Sequence, residues 1–155
     1  MAQDFYPVFG TVSFTLLGLW IIVVQTRYAD WASDPARLRT SYAVFLNFAL
    51  PGTMAIVSLV EPGNRGLWRC TFVIAALLGV AGAVYAWGRE RGDNALLLAA
   101  RAAGLVLYVV IALVALFAST VADDLELKPL EIEAVLLSLM ILLDLNVAWT
   151  LLIRA

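Results

Sequence analysis

Long apolar stretches separated by short polar breaks dominate the chain. A helix needs about 20 mainly apolar residues, at about 1.5 Å rise each, to cross about 30 Å of hydrocarbon. Five segments satisfy this, at 6–25, 41–60, 67–87, 95–120 and 130–153. Backbone polar groups in lipid must be satisfied within the segment, so each is expected to be a helix. The pattern predicts an all-α integral membrane protein: a single domain over 1–155, folded as a compact bundle of five transmembrane helices. The connections are short, so no attached soluble domain is expected.

The breaks carry helix-end chemistry. Ser33-Asp34-Pro35 places a capping side chain before a proline, which predicts a helix start ahead of the second span, in the headgroup region. Glu61-Pro62-Gly63-Asn64 reads as a tight turn, and Gly88 and Gly92-Asp93-Asn94 separate spans three and four. Lys128-Pro129-Leu130-Glu131 resembles a helix N-terminus with a carboxylate near the positive dipole end. Met1-Ala2-Gln3-Asp4 lacks the basic stretch of a secretory signal, so the first apolar segment is expected to remain as a span.

Basic residues distribute unequally. Arg27, Arg37, Arg39, Arg89, Arg91 and Arg154, six in all, fall on one side, and Arg65, Arg69 and Lys128, three in all, on the other. The richer side is expected in the cytoplasm, giving N-terminus out and C-terminus in, across the plasma (inner) membrane. Tyr28, Trp31, Tyr85 and Trp87 are expected as aromatic anchors at the inner interface.

Composition sharpens the picture by exclusion. Hydrophobic residues make up 63% and charged residues 14%, with a mean hydropathy of +0.93. So few polar groups cannot cover a water-soluble globule. The absence of His removes imidazole bases and His-ligated metals. The lone Cys70 excludes an internal disulfide and a multi-thiolate centre, and is expected to be a small apolar filler. No cofactor, metal or catalytic residue is expected. A net charge of −2 without a basic cluster argues against nucleic acid.

The costly residues are the informative ones. Asp144 lies about nine residues from the inner end of span five, about 14 Å deep, too far for its short side chain to snorkel. It should face protein or water, either as an ion- or proton-carrying carboxylate or as half of a buried polar lock. Arg101 lies about 9 Å below the inner edge of span four. Asn47 and Asn146 are at similar depth, so Asn47, Arg101, Asp144 and Asn146 form an expected polar layer in the cytoplasmic half. An Arg101–Asp144 pair would satisfy both charges; snorkelling of Arg101 to the interface is the alternative. Pro51 cannot donate to the Asn47 carbonyl, so Pro51-Gly52 reads as a hinge that frees an oxygen in this layer, or as a packing kink.

Asp123, Asp124 and Glu126, followed by Glu131 and Glu133, form an acidic stretch. It reads as a pore mouth in a ring of protomers, or as an ordinary outer loop whose carboxylates stabilise a helix N-terminus. Small residues spaced by four (Ala75, Gly79 and Ala83; Ala100 and Gly104) suit close helix packing, within or between protomers. Neither the Gly-rich selectivity loop of potassium channels nor the regular Arg spacing of a voltage sensor is present. The expected function is a homo-oligomeric ion channel or small-ion transporter built around the polar layer. The alternatives are a non-catalytic membrane subunit that anchors a partner protein, and an intramembrane enzyme acting on lipid.

Overall fold

The computed structural model describes residues 2–60, 65–86, 95–118 and 129–153. Among the described residues, five helices are long and apolar enough to cross a membrane. They are α1 (Ala2–Trp31), α2 (Pro35–Val60), α3 (Arg65–Ala86), α4 (Ala95–Leu116) and α5 (Pro129–Ile153). The five-span, all-helical expectation holds.

The first two helices are longer than the apolar segments that announced them. α1 has 30 residues, about 45 Å of helix, against about 30 Å of hydrocarbon. The loss of apolar content after Gln25 marks departure from the hydrocarbon and not the end of the helix. The polar turns that follow are held by ordinary local bonds, including an Arg27–Asp30 ion pair at 3.6 Å. The chain reverses where the cap chemistry places it. Asp34 Oδ1 accepts the backbone N–H groups of Ala36 and Arg37 at 3.1 and 3.3 Å. Asp34 thereby satisfies orphan donors of the first turn of α2, with Pro35 at the position where a missing N–H costs nothing.

Side-chain contacts give the helix directions. Tyr6 near the start of α1 donates to the Leu130 carbonyl at the start of α5, 2.7 Å away. Arg69 near the start of α3 donates to the carbonyls of Ala115 and Leu116 at the end of α4. Arg101 near the start of α4 meets Thr40 near the start of α2. Thus α1, α3 and α5 begin at one end of the bundle, the first end, and α2 and α4 begin at the other, the second end. α2 is central, packing against α1, α3 and α5.

Two apolar clusters fill the interior. The cluster toward the first end includes Tyr6, Phe9, Met54, Phe72, Ile111 and Leu137. The cluster toward the second end includes Trp20, Trp31, Val44, Phe48 and Leu151. The small residues of α1 to α4 work mainly within the chain. A Cβ on Gly52 would lie 2.9 Å from Phe14 and 3.0 Å from Ser13, so α1 and α2 approach closely there. A Cβ on Gly79 would overlap the Tyr108 ring. Gly18 has nothing within 4 Å and faces outward.

Two expectations are corrected by this packing. Trp31, expected to face the interface, is fully buried, because it joins the cluster of Val44, Phe48 and Leu151, with its ring tilted against that of Trp20, centroids 6.2 Å apart. Tyr28 and Tyr85 are exposed, as interfacial anchors would be. Cys70, expected as an internal filler, is exposed. The inward stripe of α3 is taken by Trp68, Phe72, Ala75 and Ala76; a residue two positions from Trp68 and Phe72 points the other way.

Candidate functional site

α5 turns one face fully inward: Glu133, Leu137, Met140, Ile141, Asp144, Val147, Ala148 and Leu151 are buried. Their spacing of three and four is that of one helical stripe. Asp144 therefore points into the bundle, 1% exposed, between the two apolar clusters.

A short hydrogen-bonded chain reaches it. The Tyr108 hydroxyl of α4 donates to Asn47 Oδ1 of α2 at 2.7 Å. The Asn47 amide donates from Nδ2 to Asp144 Oδ1 at 2.6 Å. Three helices thus meet through three side chains. The second carboxylate oxygen, Oδ2, is buried and accepts no hydrogen bond from the described residues. Leaving such an atom unsatisfied is costly, and groups left this way are often functional.

Asp144, Asn47 and Tyr108 share a cavity of about 40 Å³ with Thr40 and Arg101, walled by small residues such as Ala83 and Gly104. A water needs about 10–15 Å³ of such space together with polar partners. The cavity therefore has room for a few waters or one small hydrated ion, and for no larger ligand. Among the described residues, no three acidic, Cys or His side chains cluster in a way that would hold a metal ion.

Of the four expected polar-layer residues, the structure brings three to this cavity. The direct Arg101–Asp144 bond, expected from their depths, is replaced by separate contacts. Arg101 Nη2 donates to Thr40 Oγ1 at 2.9 Å, and Thr40 donates onward to the Ala36 carbonyl at 3.0 Å. Thr40 precedes Asn47 by seven residues, about 10 Å nearer the second end. The guanidinium thus reaches toward the helix ends, where it is more easily solvated. It remains on the wall of the cavity that the carboxylate lines.

Asn146 does not join the layer. It is exposed and donates to the Leu142 carbonyl of its own helix at 2.8 Å. Two residues along a helix is a rotation of about 200°, so Asp144 and Asn146 face opposite ways at one depth. Pro51 and Gly52 are buried within a continuous α2. Pro51 leaves the Asn47 carbonyl without its usual helical donor, one turn from the site. Asp123, Asp124 and Glu126 lie outside the described residues, as do the expected turns at 61–64 and 92–94. Arg89, Arg91, Lys128, Arg154 and Trp87 lie outside them too.

Two residues gain importance only in the fold. Tyr108 is seven residues from Arg101 on one face of α4, and a mid-bilayer hydroxyl requires a partner, which was a usable signal. Glu133, expected to stabilise a helix N-terminus, is instead 0% exposed, and neither of its carboxylate oxygens accepts a hydrogen bond from the described residues. Glu131, partly exposed in the first turn of α5, is placed for the dipole role. No protein-family pattern, curated protein or solved structure matches this chain.

Proposed function

We propose that the protein is an integral membrane channel or transporter for a small ion, with Asp144 as the ion-binding carboxylate. One observation carries this: a fully buried acid, with one oxygen that no donor among the described residues reaches, lies on a small cavity with Asn47, Tyr108, Thr40 and Arg101 in the middle of an apolar bundle. A purely structural lock would use both oxygens. The Tyr108–Asn47 chain orients the carboxylate by holding Oδ1, which leaves Oδ2 for the ion. Hard oxygen donors favour a proton or small cation over an anion. Flux in liposomes made with purified protein tests the proposal; a wild type that carries no ion overturns it.

The orientation belongs to the same proposal: N-terminus out and C-terminus in, with the second end and the Asp144 cavity on the cytoplasmic side of the plasma (inner) membrane. The six-to-three basic bias supports it. In a Cys70→Ser background, cysteines placed at Asp4 and Arg154 should react with an impermeant thiol reagent from opposite sides. Reaction of both from one side removes the odd-span arrangement.

Homo-oligomerisation is the remaining part. Asn146 is on the outward face of α5, about 10 Å from the end of that helix, beside the exposed Trp149. Its remaining amide hydrogen and oxygen find no partners in hydrocarbon, whereas a second helix surface supplies them. Asn146→Leu is expected to shift the detergent-solubilised particle toward the monomer mass, read by light scattering. An unchanged mass removes Asn146 from the interface. A monomeric wild type that copurifies with another membrane protein favours the anchoring-subunit alternative.

A further inference from the structure

The face of α5 that buries Asp144 carries a second acid that the site above does not use. We propose that Glu133 is a second ion-carrying carboxyl and that the transported ion is the proton. This rests on the reading of Asp144 as an ion carrier and names the ion.

Glu133 is 0% exposed, and both of its oxygens are buried without a hydrogen-bond donor among the described residues. A carboxylate charge is not tolerated in such a place unless something cancels it. A structural lock needs a partner to hold, and among the described residues no donor reaches this group. The charge is cancelled by what the group binds.

Its surroundings select a proton. The neighbouring titratable group is Tyr6 of α1, close enough to interact with it electrostatically. The Tyr6 hydroxyl spends its hydrogen on the Leu130 carbonyl at 2.7 Å, so toward Glu133 it offers oxygen lone pairs and no spare hydrogen. Acceptors suit a carboxyl that carries a proton and can donate it. On α3, Arg69 turns its guanidinium to the Ala115 and Leu116 carbonyls at the end of α4 and is engaged there. On α2, the buried polar group at this end is Ser58, whose hydroxyl donates to the Met54 carbonyl. A metal cation needs several oxygens at once, and among the described residues no acidic cluster supplies them. A proton needs one lone pair.

The two carboxyls also divide the crossing. They are eleven residues apart, close to three full turns, hence on one face and separated by about 16 Å along the axis. Glu133 is about 6 Å from the first end of α5 and Asp144 about 14 Å from the second. Leu137 and Met140, both 0% exposed, fill the face between them. Apolar side chains break a hydrogen-bonded path, so this conformation is closed to transfer. Passage requires water to enter past Met140, an unbranched and adaptable side chain.

An apolar carbodiimide provides one test on the wild-type protein in liposomes. The carboxyl proton moves to a carbodiimide nitrogen while the carboxyl oxygen bonds the central carbon, so a cation-bound carboxylate does not react. Peptide mass mapping should find the adduct on Glu133 at neutral pH, with a yield unchanged by sodium. Absence of the adduct, or protection by sodium, overturns the assignment. The second test is proton flux under a pH gradient. Glu133→Gln should lower it about a hundredfold, the scale of losing a positioned proton-transfer group, with Glu131→Gln near wild type. Unchanged flux in a monodisperse Glu133→Gln protein overturns this inference and leaves Asp144 as carrier. No flux of any ion in wild type overturns the parent reading instead. If Glu133→Gln does not fold, the carbodiimide mapping decides.

Discussion

Asp144→Asn is expected to abolish ion flux in liposomes while the protein elutes as a single folded species. The amide has nearly the same shape as the carboxyl. Its oxygen still accepts from Asn47 Nδ2, the bond that is 2.6 Å long in the wild type. What disappears is the group that takes and releases a proton or holds a cation. Flux should fall about a hundredfold or more, the usual scale for losing such a group. Stability should change little, since a buried neutral amide is no harder to accommodate than an acid without a counter-charge. Asp144→Ala separates structure from function. It leaves the Asn47 donor unpaired and enlarges the cavity, and should cost about 2–4 kcal/mol by thermal unfolding in detergent. If Asp144→Asn conducts like wild type, Asp144 is a structural residue and the site lies elsewhere.

The second large effect is expected away from the charged groups. Gly79→Ala places a methyl where three Tyr108 ring atoms already sit. That ring is 1% exposed and its hydroxyl is bonded to Asn47 at 2.7 Å. It cannot retreat without breaking the chain that orients Asp144. The expected loss is about 3 kcal/mol, the upper range for overpacking, with flux reduced in the surviving fold. Gly82→Ala is the control. Its added Cβ would meet Leu46 Cδ1 at 2.5 Å, the end of a partly buried side chain that can rotate aside, so its cost should stay below about 1 kcal/mol. Equal losses at the two positions would show that close packing of α3 against its neighbours, and not the placement of Tyr108, sets the sensitivity.

Tyr108 also shows how the sequence and the fold share the information. Its depth and its spacing from Arg101 are visible in the chain, and a hydroxyl at that depth calls for a partner. Which partner could not be read, because Asn47 is 61 residues away and reaches Tyr108 only because α2 and α4 both pack against α3 and α5. Arg101 followed the same rule. Its depth matched that of Asp144, but the long side chain turned to Thr40, toward the solvated end of the bundle.

The five spans, the Asp34 cap and the depth of each polar residue were determined by the sequence alone. Each follows from local quantities: the apolar length needed to cross hydrocarbon, cap chemistry, and rise per residue. The direction each side chain faces around its helix was decided by the tertiary structure. A membrane helix is apolar toward lipid and toward its neighbours alike, so its pattern does not mark an inward face as a soluble helix does. Asp144 and Asn146 share a depth, yet one is buried on the cavity that Asn47 and Tyr108 also line and the other faces outward. Glu133 has the sequence context of a helix-terminal acid. It became a buried carboxyl only because neighbouring helices, including the start of α1 with Tyr6, enclose that end of α5.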